Sequence, residues 1–250
     1  MINIKNILSF GRQEVYGDWL VKIYIPGGYI PTRIYYIHSG NCYFFHEGKK
    51  VMLTPGLLYL IPFTTNFTPV SDENSPLDHS YIDFDLMPPI ISRDIYSLDP
   101  AINKLTRLAT DMFIQIAGNK PKTIYSPFDI NAETLNLLTS SAALLIREMV
   151  ELNNISMPKD KVAISIMNEL FAHIDSDISI DDLAKKHYMS PDAIIRNFKR
   201  TFDKTPYAFL RELRLRTASY LIRSGEKLDD VARATNYSST SALLHALNKK

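Results

Sequence analysis

Residues able to do chemistry gather in two places, and the first is the stretch from Ser190 to Arg200, SPDAIIRNFKR. Ser190 followed by proline is a helix N-cap with proline at the first helical position. Ile194 and Phe198 lie four apart and define an inward face. Asp192, Ile195 and Arg196 are then left facing outward, with Lys199 and Arg200 one turn on. The Arg196 guanidinium has the fork to take guanine O6 and N7 together, and the two later cations have the charge to neutralise phosphates. A similar helix around Leu243 and Leu247 turns out Thr240, Ser241, Leu244 and His245. Its one ring is an imidazole rather than a fork, so it is expected to act mainly through backbone contact and DNA shape.

The second place is His79-Ser80-Tyr81-Ile82-Asp83-Phe84. In a strand His79, Tyr81 and Asp83 share one face and Ser80, Ile82 and Phe84 the other. An imidazole, a phenol and a carboxylate facing a cavity suit a polyol, since aromatic faces stack on sugar CH groups and polar tips bond hydroxyls. The opposite arrangement, with the polar trio in water and the apolar set inside, fits the alternation equally well. Trp19, the single tryptophan, and Tyr36 are further pocket candidates, with plain core packing as the alternative. His38, His46 and His79 are scattered singly, and FFHEG holds no second histidine for a metal, so neither metal nor cofactor is expected. No Ser/His/Asp or paired-carboxylate spacing suggests catalysis.

The elements that must carry the first group form a tandem. ISIDDLAKKHYMSPDAIIRNFKRTF reads as two helices joined by His187, Tyr188 and Met189, too few residues for a crossover, so the helices must meet steeply. Ser179 with Asp182 marks the first start and Ser190 the second. The plan recurs at an offset of 48 residues for Leu183-Ala184 against Val231-Ala232, and 49 for Ile194 against Leu243 and Phe198 against Leu247. A connecting helix from Pro206 to Ser224, stopped by Gly225, makes a rod between two helix-turn-helix units.

SIDDLA, SPDAIIRNFKRTF with TP after it, RLRTASYLI and LDDVARATNYSSTSALLHAL resemble the AraC/XylS family of bacterial transcription regulators. The resemblance spans nearly all of residues 178–250. Asp203 and Asn236 stand where the family pattern has glycine, and His245 where it has arginine in the second recognition helix. The resemblance implies double-stranded DNA and RNA polymerase as partners, a homodimer held by helices beside an effector domain, and a cupin-like barrel ahead of the tandem. On that barrel His79 and Tyr81 resemble the family's sugar-pocket histidine and aromatic.

The N-terminal half supports a barrel on its own account. RIYYIH, CYFFHE, KKVML, GLLYLI and HSYIDFDL are short β-branched and aromatic runs separated by turn residues and by a polar loop at Thr64–Pro76. They read as an antiparallel meander rolled into a small barrel or sandwich. Residues 97–174 return to helix. One stripe is Ile102, Leu105, Leu108, Met112, Phe113 and Ile116, and another is Val162, Ile166, Leu170 and Ile174. Between them Leu135, Leu138, Ala142, Leu145, Met149 and Leu152 step by three and four, a seam that packs either on a neighbouring helix or on its two-fold mate, and the family resemblance favours the mate.

Charge is sorted by domain: residues 178–250 hold 14 Lys+Arg against 8 Asp+Glu, net +6, and residues 1–177 hold 14 against 19, net −5. A basic module behind an acidic one suits phosphate binding. With 250 residues, 46% hydrophobic, one cysteine, no secretory h-region and no long apolar run, a cytoplasmic protein free of membrane segments and internal disulfides is expected. The expected fold class is α+β: a cupin-like antiparallel barrel over 1–96, a helical dimerisation and linker segment over 97–174, and an all-α tandem helix-turn-helix over 175–250. The function to be tested is a DNA-binding regulator, not an enzyme, answering to a small molecule such as a carbohydrate. Its rival is a metal-free cupin sugar-binding protein or cupin enzyme with a structural helical tail.

Overall fold

A computed structural model of the chain describes residues 3–16, 31–65, 67–118, 123–223 and 225–248. They fall into two compact units that meet in the sequence between Met157 and Pro158. The helical stretch 97–174 is therefore no separate segment: its first two long helices belong to the first unit and its last to the second.

The first unit is built on strands β1 (Asn3–Val15), β2 (Thr32–Ser39), β3 (Cys42–His46), β4 (Lys49–Leu53), β5 (Leu58–Ile61), β6 (Thr68–Ser71), β7 (Leu77–Met87), β8 (Tyr96–Leu98) and β9 (Thr123–Tyr125). They form an antiparallel six-stranded sheet, β8-β5-β2-β7-β1-β9, and a three-stranded one, β4-β3-β6. The mixed α+β class is as expected, but no closed barrel forms among the described residues. The expected meander also lacked β1, β6, β8 and β9. At the turn into the small sheet Gly40 has φ +108, and a Cβ there would lie 2.2 Å from the Pro76 carbonyl oxygen, so only glycine lets the two chains approach this closely.

Both faces of the large sheet are covered, which is why β7 alternates in chemistry and not in burial. Towards the small sheet its Leu77 and Tyr81 pack with Tyr35 and Ile37 of β2, Tyr59 and Ile61 of β5, Cys42 and Phe44 of β3 and Leu53 of β4. On the other side Ile82, Phe84 and Leu86 pack with Ile4, Ile7 and Phe10 of β1 and with helices α1 (Lys104–Ala117) and α2 (Ala132–Leu152). At about 25 cal/mol per Å² of apolar area removed from water, these two layers supply the main drive for folding.

Helix α2 does not offer its seam to a partner. Leu138, Ala142, Leu145 and Met149 are completely buried in the chain's own core, and Leu135 packs at its edge, leaving only Leu152 of the seam largely exposed. The neighbour they meet is α1, which turns Thr106, Ala109, Thr110, Phe113 and Ala117 inward. Small residues let the two helices approach, and the large residues Ile102, Leu105 and Leu108, expected in the core, stay 49%, 50% and 56% exposed.

The second unit begins with α3 (Lys161–Ala172), capped by Asp160, which accepts from the backbone N–H of Val162 and Ala163. It continues with α4 (Ile180–Lys186), α5 (Pro191–Phe202), α6 (Pro206–Arg223), α7 (Leu228–Ala234) and α8 (Thr240–Asn248). Phe198, Phe202 and Phe209 pack with tilted and edge-on rings, centroids 4.5–5.9 Å apart, between α5 and α6. Ala218, Val231, Ala232 and Leu243 make a second small core under α7 and α8. No helix among the described residues is long and apolar enough to cross a membrane.

Candidate nucleic-acid interface and inner polar cluster

Each half of the tandem is set by local backbone chemistry. Ser179 Oγ caps α4 by accepting from Asp182 N–H at 3.1 Å, and Ser190 Oγ caps α5 by accepting from Ala193 N–H at 3.2 Å. Between them Tyr188 takes the left-handed conformation, φ 53, with its ring 97% exposed, while Met189 N–H returns to the Ala184 carbonyl. In the second half Asn236 is the left-handed residue, φ 55, and Tyr237 N–H returns to Ala232. Ser239 Oγ caps α8 through Ala242 N–H. Asp203, at the C-cap of α5, is left-handed as well, φ 56. The two positions where glycine had been expected therefore keep the glycine conformation without the residue.

Ile194 and Leu243 are fully buried and Phe198 and Leu247 pack behind them. This leaves Ser190, Asp192, Arg196, Lys199 and Arg200 exposed on α5 and Ile195 half-buried. On α8, Ser241, Leu244 and His245 are exposed and Thr240 is half-buried. One of these side chains is already engaged. Arg200 Nη2 donates to Asp160 Oδ2 at 2.8 Å, and Asn197 Nδ2 donates to the same oxygen at 2.8 Å, so the cap of α3 also holds the recognition helix α5. Partial burial works to raise the Asp160 carboxyl, but the capping bonds from Ala163 and Val162 N–H together with those from Asn197 and Arg200 outweigh it and lower the carboxyl from its ordinary value. Sequence reasoning missed this, because α3 was assigned to the linker. Glu169 of α3 likewise takes His187 Nε2 at 2.8 Å and Lys186 at 3.2 Å from the first turn.

The inner face of the large sheet in the first unit carries the other group. Arg33, Tyr35 and Ile37 of β2 stand opposite Asp83, Tyr81 and His79 of β7. The choice between a cavity face and a solvent face does not divide β7: His79, Tyr81 and Asp83 are buried on this side, and Ser80, Ile82 and Phe84 are buried on the other. Arg33 Nε lies 3.0 Å from Asp83 Oδ1, with side chains 3% and 0% exposed, and Ser9 Oγ donates to Asp83 Oδ2 at 3.1 Å. Burial raises the Asp83 carboxyl, with Arg33 and Ser9 pulling it back. The His79 ring sits 4.6 Å from that of Tyr35 and 6.0 Å from that of Tyr81. Burial pushes His79 down to about 3, so its imidazole is neutral. Burial also raises the Tyr81 phenol.

Tyr36 is not part of this cluster. It lies on the opposite face of β2, edge-on to His38 at 4.9 Å, where His38 Nε2 pairs with Ser80 Oγ at 2.8 Å. Trp19 lies outside the described residues. Arg33, Tyr35 and Ser9 were missed. The signal was present for Arg33, a lone cation inside the apolar run TRIYYIH, because a charge buried in a strand has to be paired. Among the described residues no group of three or more His, Cys, Asp or Glu gathers as a metal site would.

A family model described as a helix-turn-helix domain matches residues 183–250. No curated protein matches the chain. Among solved structures, ToxT from Vibrio cholerae aligns over 98% of this chain and 94% of its own, with TM-score 0.57 and 11% identity. ToxT from strain SCE256 bound to an unsaturated fatty acid aligns over 100% and 90%, with TM-score 0.54 and 12% identity. ToxT from strain O395 bound to (E)-4-(8-methylnaphthalen-1-yl)but-3-enoic acid aligns over 100% and 94%, with TM-score 0.55 and 10% identity. At such identities the likeness is one of fold. Residues 183–250 thus match a helix-turn-helix domain, the structure folds them as two capped helix-turn-helix units, and the whole chain shares the fold of ToxT.

Proposed function

We propose that the chain controls transcription by binding operator DNA as a homodimer, contacting RNA polymerase there, and responding in its first unit to a small hydroxyl-rich molecule such as a sugar. The carrying observation is the pair α5 and α8, each buried on one side and presenting a row of groups that reach bases or phosphates on the other. Arg196 reads a guanine, Lys199 and Arg200 meet phosphates, and α8 with His245 adds backbone contact and shape. Arg200 does so on release from Asp160 or alongside it.

The effector reading rests on neutral His79, the Tyr35 and Tyr81 rings and Asp83 on one inner face. Arg33 already balances Asp83, which favours a neutral ligand over an anion. A carboxylate effector is the second reading. The fatty-acid-bound and butenoic-acid-bound ToxT structures point the same way. For the dimer, support moves from α2 to α1. Leu105, Leu108 and Met112 repeat at three and four, with Ile102 preceding them, and two copies of such a stripe can pack about a two-fold axis.

One experiment on the full chain covers the proposal: gel retardation with genomic fragments over a salt series, with sedimentation and thermal shifts on the same samples. Retention should weaken steeply as salt rises. Arg196→Ala should cost about 1–3 kcal/mol and relax choice at one or two base pairs, whereas His245→Ala should change little. Leu108→Asp should give a folded monomer, and Tyr81→Phe should blunt the shift produced by whichever of a polyol or carboxylate panel binds. No retention at any salt would return the chain to its rival, a sugar-binding protein or enzyme with a helical tail.

A further inference from the structure

The structure assigns to the short segment His173–Asp177 a part in DNA reading: it ties the two helix-turn-helix units together and so fixes the spacing at which α5 and α8 meet the duplex. The inference rests on the DNA-binding reading and adds a positioning role for Arg214, Asp177 and Asn236, none of which faces out from a recognition helix.

Two observations converge on the segment. From one side Arg214, in the middle of the connecting helix α6, donates through Nε to the Ile174 carbonyl at 2.8 Å. Its Nη2 donates to His173 and Ser176 carbonyls at 3.0 and 2.5 Å. One planar guanidinium thus gathers three carbonyls that follow the end of α3, a geometry that an ammonium could not match. From the other side Asn236, in the turn of the second unit, donates through Nδ2 to Asp177 Oδ1 at 2.8 Å. Asn236 has the left-handed backbone that glycine adopts freely, so its amide is not needed for the turn itself. What the amide adds is a bond to the chain that leads directly into α4.

The segment is therefore bonded to the rod and to the second unit and is continuous with the first. Without these ties the units are joined by their separate packing on α6, Phe209 against α5 and Ala218 against α7 and α8, and by the turn at Gly225, φ 86. A loose joint would still bring two readers to one DNA molecule, by raising effective concentration, but it would not make them demand a particular separation. A rigid one makes separation part of the recognised sequence. Asp175 and Asp177 lie close enough to attract the Arg214 charge, which strengthens the tie where it is half-buried.

The test uses the full chain and a DNA fragment recovered by selection with the wild type, together with versions carrying one base pair inserted or removed between the two contacted stretches. The wild type should prefer the original spacing. Arg214→Ala should bind the original fragment about tenfold more weakly and lose most of that preference, the size expected for a charge-assisted tie. Asn236→Gly and Asp177→Ala, which alter a half-buried and an exposed group outside the cores, should lower the preference by about two- to threefold. A purely structural role would weaken original and respaced fragments alike, so equal weakening, or an unchanged preference, overturns the proposal. Should Arg214→Ala fail to fold, the two surface variants decide by the same criterion. Failure of the wild type to retain any fragment would instead overturn the DNA-binding reading beneath it.

Discussion

Arginine, aspartate and histidine appear in both units, and the same chemistry has opposite consequences in the two. In the second unit Arg200 and Asp160 approach to 2.8 Å with side chains 69% and 23% exposed; in the first Arg33 and Asp83 approach to 3.0 Å with almost none. The shorter contact is the weaker one. Water and salt screen the surface pair, and Arg200 can leave it for a phosphate at small cost. The buried pair has lost its hydration, and neither partner can leave without stranding the other. Histidine repeats the contrast, since His245 is exposed on α8 while His79 is sealed and neutral. Solvation, more than distance, decides which of these groups can exchange partners at small cost.

The largest effect that could break this contrast is expected at Arg33. Arg33→Met should destabilise the first unit by about 3–5 kcal/mol in denaturant unfolding, because Asp83 is left buried without its cation, and adding Asp83→Leu should restore much of the loss. A cost below about 1 kcal/mol for the single variant would put the buried pair on the same footing as the surface one. Next comes pH. The folded His79 value of about 3 lies below the ordinary 6.5, so between these values the unfolded chain takes up a proton that the folded chain refuses. His79 thus contributes stability that is present above pH 6.5 and is lost as pH falls, at about 1.4 kcal/mol per pH unit. Thermal melts between pH 6.5 and 5 should show this slope, and His79→Gln should remove about one proton's worth of it. A residual slope should come from His38, which burial also holds below its ordinary value. The smallest effect belongs to the surface: Asp160→Asn, which keeps a capping side chain, should change stability by no more than about 1 kcal/mol, with the change fading at high salt.

Legibility followed the same division. The tandem was readable to the residue, because its caps and inward positions are local: Ser190, Ile194, Phe198 and Leu243 all stand where their spacing put them. Strand β1 was not readable. Its inward residues Ile4, Ile7 and Phe10 fall three apart, since register shifts after Ile4 and Ile7 each absorb an extra residue, and a period of two never appears. Helix α1 misled in the other direction. Its large residues formed the obvious stripe, but threonine and alanine fit the close approach to α2, a choice that depends on a neighbour about thirty residues away in the chain. The α2 seam was correct as a pattern and wrong as to partner, since periodicity records that a face is covered and not by whom. At the inner cluster the trio on β7 was found, while Arg33 and Ser9 come from strands whose pairing with β7 no local signal announces.

Cys42, the chain's single cysteine, lies on β3 inside the contact between the two sheets, fully buried and with its thiol pushed up to about 12. At neutral pH almost no thiolate exists there, and no reagent can reach it while the sheets stay together. The chain thus carries its own clock. Alkylation of Cys42 under native conditions counts openings of the sandwich, and any small molecule that holds the sheets closed slows it. The same silence leaves every exposed position free to take an engineered cysteine and a dye without first removing the native one.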